Sequence, residues 1–150
     1  MGLKVDKILC TTDFSALSSK GIDYALSLAK DFNAELKIVH VYGLPSYFAL
    51  PEAAVIPSAG YAADRSNELQ RMMDSTVREY GDRGIEVHGM IKLGVSYEEI
   101  VREADVWGAD MIVMASHGHS GIAHAILGSV TERVIRLAHC PVLVVRNDNA

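Results

Sequence analysis

Residues 111–145 read MIVMASHGHSGIAHAILGSVTERVIRLAHCPVLVV. Met111 to Ala115 is apolar at every position, which suits a strand buried on both faces. A glycine-containing turn follows, Gly128 opens a helix running from Ser129 to Leu137, and Pro141 stops that helix before a short apolar strand, Val142 to Val145. Two strands apolar on both faces and joined through a helix make a unit of a parallel sheet, because parallel neighbours need a crossover that covers the sheet.

The same alternation runs upstream. Val5 to Cys10 reads as a buried strand, and residues 16 to 32 switch to helical spacing with Ile22, Ala25, Leu26, Ala29 and Phe32 on one stripe. Leu36 to Tyr42 is a second strand. Residues 43 to 64 hold three of the four prolines and show no period, so they are expected to form a long loop. Ser66 to about Arg83 carries a stripe of Leu69, Met72, Met73, Thr76 and Tyr80. Ile85 to Leu93 alternates as a half-exposed or edge strand does. Ser96 and Glu99 form a capping box for a helix carrying Ile100, Val101, Ala104 and Trp107. The expected fold is therefore α/β: a doubly wound, five-stranded parallel sheet with helices on both faces, in a single domain over residues 1–150. Such sheets bind ligands beyond the carboxyl ends of their strands, where the strand order reverses. That points to Thr11 to Ser15, Val41 to Gly43, Gly94 to Ser96 and Ser116 to Ser129.

Composition bounds the function. The chain has 150 residues, 14 Lys and Arg against 19 Asp and Glu, and a net charge of -5. A chain of this length buries about 70% of its unfolded surface and needs no staple. The acidic balance argues against nucleic acid as a partner. The apolar runs are too short for a membrane span, and the opening MGLKVDKILCTTDF is expected to be no signal peptide. Cys10 and Cys140 border apolar runs and read as buried thiols in a reducing, cytoplasmic compartment.

The 111–145 stretch also carries the chemistry. A strand, a glycine turn and a glycine-opened helix suit an anion, because the first N–H groups of a helix are unpaired and glycine lets the backbone come close. Two readings of Ser129 and Glu132 stand side by side: a phosphate site, or a second capping box serving helix stability alone. No Gly-Lys occurs, so a Walker loop is excluded; G-x-G-x-x-G and G-x-S-x-G are also absent. His117, His119 and His124 lie close in sequence without a frame that converges them, so no metal site is expected. His40 reads as a core or pocket-wall residue.

A strand ending in Thr12-Asp13-Phe14-Ser15, another ending in His40-Val41, and the run from Ile112 to Val145 resemble the universal stress protein family along nearly the whole chain. The family's nucleotide-binding branch carries Gly, two residues, Gly, nine residues, then Gly-[Ser/Thr]. That frame falls on Ala115, Gly118, Gly128 and Ser129, with Ala in place of the first Gly. The resemblance implies a Rossmann-like fold of the adenine nucleotide alpha-hydrolase type, with strand order 3-2-1-4-5. It implies ATP as ligand, with Mg2+. Asp13 would accept from the ribose hydroxyls with Thr12 alongside, and Val41 would bind adenine through its backbone. Ala115, His117 and Gly118 would line the turn around ribose and phosphates. Gly128, Ser129 and Val130 would donate N–H groups, with the Ser129 hydroxyl on a phosphate and Thr131 assisting. Without the resemblance, Asp13 reads equally well as the N-cap of the first helix.

No Lys or Arg occurs from Ala115 to Thr131, and phosphoryl transfer needs cations at the transition state. The expected function is thus an ATP-binding regulator in the stress response, with no catalytic residue assigned. The alternatives are a slow ATPase or autokinase using Ser129, Ser120 or Thr131, and an interaction module that binds no nucleotide. The resemblance also implies a homodimer, through antiparallel pairing of Val142 to Val145 with its copy, and an unidentified protein partner.

Overall fold

The computed structural model describes residues 2–43, 59–116 and 127–146. Strands and helices alternate: β1 (Lys7–Thr11), α1 (Ala16–Phe32), β2 (Glu35–Tyr42), α2 (Ala59–Gly81), β3 (Val87–Leu93), α3 (Ser96–Trp107), β4 (Met111–Ser116), α4 (Ser129–Leu137) and β5 (Val142–Arg146). The strands are parallel throughout and stand in the order β3-β2-β1-β4-β5, the order the resemblance implies.

Side-chain alternation along each strand feeds two separate cores. Ile8 and Cys10 of β1, Leu36 and Ile38 of β2, and Val113 of β4 meet Ile22, Ala25 and Leu26 of α1 and Met73 and Tyr80 of α2. Leu9, Val39, Ile112 and Met114 point to the opposite face and meet Ile100 and Ala104 of α3 and Val134 of α4. Each fully buried Leu or Ile contributes about 1.5–3 kcal/mol, so the two layers hold the central strands β1 and β4 as a rigid base. The chain steps from β1 to β2 to β3, then crosses to the other side of β1. The order reverses between β1 and β4.

Four expectations are corrected. Residues 59 to 64 belong to α2, not to the long loop; of the expected loop, residues 44 to 58 lie outside the described residues. This first part of α2 is largely exposed, so it shows no apolar period. Met72 is 39% exposed, and Leu69, Met73 and Tyr80 with Val77 make the buried stripe instead.

Neither capping box forms. Val95 and Gly128 occupy the two N-cap positions, and Ser96 and Ser129 are the first helical residues. Glu99 turns inward, where Oε1 accepts from Arg102 at 2.8 Å and is faced by Gly94, at which a Cβ would lie 2.7 Å from Glu99 Cγ. Cys10 is fully buried, which pushes its thiol up to about 12, whereas Cys140 is half-buried; both are free thiols. Among the described residues no helix is long and apolar enough to cross a membrane.

Candidate functional site

A cleft of about 230 Å³ opens at the carboxyl ends of the strands, where the order reverses. The ends of β1, β2 and β4 supply Thr12, Asp13, Val41 and Ala115, and the first turns of α1, α3 and α4 supply Ser18, Ser96, Val130 and Thr131. Six of the ten residues expected at the site thus meet in one cleft: Thr12, Asp13, Val41, Ala115, Val130 and Thr131. Gly128 and Ser129 adjoin it at the start of α4 and are exposed. His117 and Gly118 lie outside the described residues, as do His119, Ser120 and His124.

The turn after β1 is built by local hydrogen bonds. Thr12 Oγ1 accepts from Phe14 N at 3.0 Å, and Asp13 Oδ1 accepts from Ser15 N at 2.9 Å. Ser15, not Asp13, is the N-cap of α1, its hydroxyl accepting from Ser18 N at 3.2 Å. The capping reading of Asp13 therefore falls. Partial burial pushes the Asp13 carboxyl up, but hydrogen bonds from Ser15 and Ser18 and its own backbone outweigh it and hold it below the ordinary 3.8. Asp13 is an anion at neutral pH.

At one end of the cleft the sheet offers bare backbone groups. Thr12 N donates to Val39 O at 2.9 Å, so Val39 faces β1. By the two-residue alternation of a strand, Val41 directs its N–H and C=O the same way. Val39 is the last residue of β2 paired with β1, so Val41 finds no ladder partner among the described residues. At the other end stands the start of α4. Glu132 N donates to Gly128 O at 3.0 Å as the first bond of the helix. The N–H groups of Ser129, Val130 and Thr131 precede it and have no partner among the described residues. The Ser129 hydroxyl is likewise unengaged there, and Thr131 is buried. Ser116 Oγ accepts from Gly128 N at 3.5 Å, which draws the end of β4 to the start of α4.

The cleft holds one acid and no Lys or Arg among its described lining residues. Arg133 lies with its guanidinium 4.7 Å from the Tyr97 ring. The methyl of Ala115, which stands where the nucleotide-binding frame has Gly, lies against α1 at Gly21, where an added Cβ would come within 3.2 Å. Ser15 and Ser96 fall in the segments the sequence pointed to, though without an assigned role, and Ser18, which helps hold the turn, was missed; the signal for all three was only proximity to a strand end. Phe14 was missed as a left-handed residue, with φ 64. Three potential ligands, Glu35, Glu86 and His88, converge at the opposite ends of β2 and β3, where the imidazole pairs with both carboxylates.

The universal stress protein family model matches residues 4–146. Universal stress protein MJ0531 of Methanocaldococcus jannaschii is 35% identical over 141 residues, covering 93% of this chain and 81% of the relative. The solved structure of MJ0577 from the same organism superposes with a TM-score of 0.78 at 29% identity, over 99% of this chain and 100% of that one. A universal stress protein described as a complex with cAMP shares the fold, with a TM-score of 0.71 at 24% identity over 95% of this chain and 98% of its own.

Proposed function

Because the chain belongs to the universal stress protein family, we propose that its cleft binds ATP and that the protein acts as a cytoplasmic, nucleotide-dependent regulator in the stress response, built as a single domain. The observation that carries this reading is the sequence of groups along the cleft. The N–H and C=O of Val41, unpaired among the described residues, match the donor and acceptor on the edge of an adenine. The Asp13 carboxylate accepts from ribose hydroxyls, and the orphan N–H groups of Ser129, Val130 and Thr131 meet phosphate oxygens. Ala115 serves as wall, and His117, Gly118 and Gly128 are assigned to the same ligand. Mg2+ would travel with the triphosphate.

The absence of Lys and Arg from the described lining favours binding over turnover, since helix N–H groups hold the ground state as well as the transition state. Titration of the purified protein with Mg-ATP should give saturable binding, and Asp13→Ala should weaken it about tenfold or more. No binding at millimolar ATP overturns the proposal. Turnover faster than a few per minute would favour the slow ATPase instead.

We further propose a homodimer through Val142 to Val145. Among the described residues β5 pairs with β4 alone and ends the sheet, and Leu143 on it is 38% exposed. Light scattering should report twice the 16.3 kDa chain mass; a monomer would count against it. The unidentified protein partner is left to the residues outside the cleft.

A further inference from the structure

The turn that presents Asp13 is gripped from both sides by one imidazole. His40 Nδ1 stands 2.7 Å from the carbonyl oxygen of Thr12. A carbonyl only accepts, so Nδ1 carries the proton and donates. On the other flank of Asp13, Phe14 sits at φ 64, a region bulky L-residues avoid. Its N–H is given to Thr12 Oγ1 at 3.0 Å, and its ring lies tilted at 4.8 Å from the His40 ring. His40 itself is fixed on β2, paired in register with Ile91 of β3, and its ring stacks parallel to Tyr42 at 6.5 Å.

We propose that His40 is a positioning residue that sets the Asp13 carboxylate at ribose height in the cleft. The inference rests on the nucleotide-binding reading above and deepens it. Among the described residues Asp13 has no side-chain bond to the sheet; its carboxylate accepts from Ser15 within its own turn and from Ser18 on α1. Thr12 is tied to β2 by its N–H on Val39 O at 2.9 Å and to α1 by its hydroxyl, 3.0 Å from Ser18 Oγ; to these His40 adds two contacts beyond Thr12 N, one on the Thr12 carbonyl that leads into Asp13 and one on the Phe14 ring. Without them Phe14 relaxes to ordinary negative φ and Asp13 swings with it. The groups assigned to the base and to the phosphates stand on β2 and α4 and stay where they are. The loss therefore falls on the ribose hydroxyls alone.

The test compares ATP with 2′,3′-dideoxy-ATP in His40→Leu, His40→Asn and His40→Gln. Wild type should prefer ATP by about tenfold or more, the worth of hydrogen bonds to a carboxylate. His40→Leu should bring that ratio close to one, as Asp13→Ala does, while its affinity for the dideoxy nucleotide stays within about twofold of wild type. His40→Asn places an amide N–H the same number of bonds from Cα as Nδ1 and should keep the preference. His40→Gln places it one bond too far and should lose it. A Leu variant that keeps the preference, an Asn variant that loses it, or a wild type that binds both nucleotides equally overturns the proposal. Amide hydrogen exchange at Phe14 and Ser15 in the nucleotide-free protein separates this from failure of ATP binding itself. Exchange should rise about tenfold in His40→Leu and not in His40→Asn; unchanged exchange in the Leu variant shows that His40 does not hold the turn, whether or not ATP binds.

Discussion

Ser129→Pro should leave the protein folded and weaken ATP binding roughly 100-fold, the loss of two hydrogen bonds to a charged group. Ser129 is the first residue of α4, a position where proline is favoured because its N–H has no helical partner. Gly128 has φ -56 and ψ 149, the extended conformation that a residue before proline adopts. The substitution therefore removes one N–H and one hydroxyl from the cleft mouth while the helix keeps its own bonds. Ser129→Ala removes only the hydroxyl and should weaken binding about tenfold. Circular dichroism and calorimetric titration measure the two sides of the claim. Full affinity in the proline variant would show that the start of α4 does not hold the phosphates.

Gly89→Val should destabilise the fold by about 3 kcal/mol, lowering the melting temperature by about 6–12 °C. Gly89 lies on β3 beneath α2, and a Cβ there would stand 2.6 Å from Val77 Cγ2 and 2.7 Å from Met73 Cγ. Both atoms branch close to the backbone of α2, and Met73 is fully buried, so the helix itself must shift. Valine favours strands over glycine, so propensity alone predicts the opposite sign. Met73→Ala alone costs about 2–5 kcal/mol. Combined with Gly89→Ala it should cost less than the sum, because the added methyl occupies part of the space the methionine leaves. A raised melting temperature for Gly89→Val would show that α2 does not rest on β3 in this way.

The architecture was legible because apolar residues in β1, β2 and β4 feed two faces. A period that switches between two and 3.6 leaves few alternatives for the elements, and α1 and α4 were placed to the residue. The start of α2 was not legible, since an exposed helical segment carries no apolar stripe. Nor were the N-caps: Ser96 and Ser129 fit the capping pattern in sequence, but one residue of register decides whether a hydroxyl caps a helix or sits inside it. Asp13 was open between cap and site, and the cap position went to Ser15, two residues on. The cleft residues were named largely through the Thr12-Asp13-Phe14-Ser15 and Gly128-Ser129 patterns. The bare backbone of Val41 could not be read from residue types at all, because it depends on how far β2 outruns β1.

On the proposed nucleotide-binding reading, that overrun would make the sheet itself the sensor. β2 continues through His40, Val41 and Tyr42 past its last β1 partner at Val39, leaving among the described residues an open rung where the proposed base would sit. A nucleotide seated there is part of the secondary structure, and by mass action its occupancy and the cohesion of the fold rise together, by about 2.7 kcal/mol when free ligand is 100 times Kd. A change in the cellular nucleotide pool would then be registered as a change in how firmly the centre of the sheet is held.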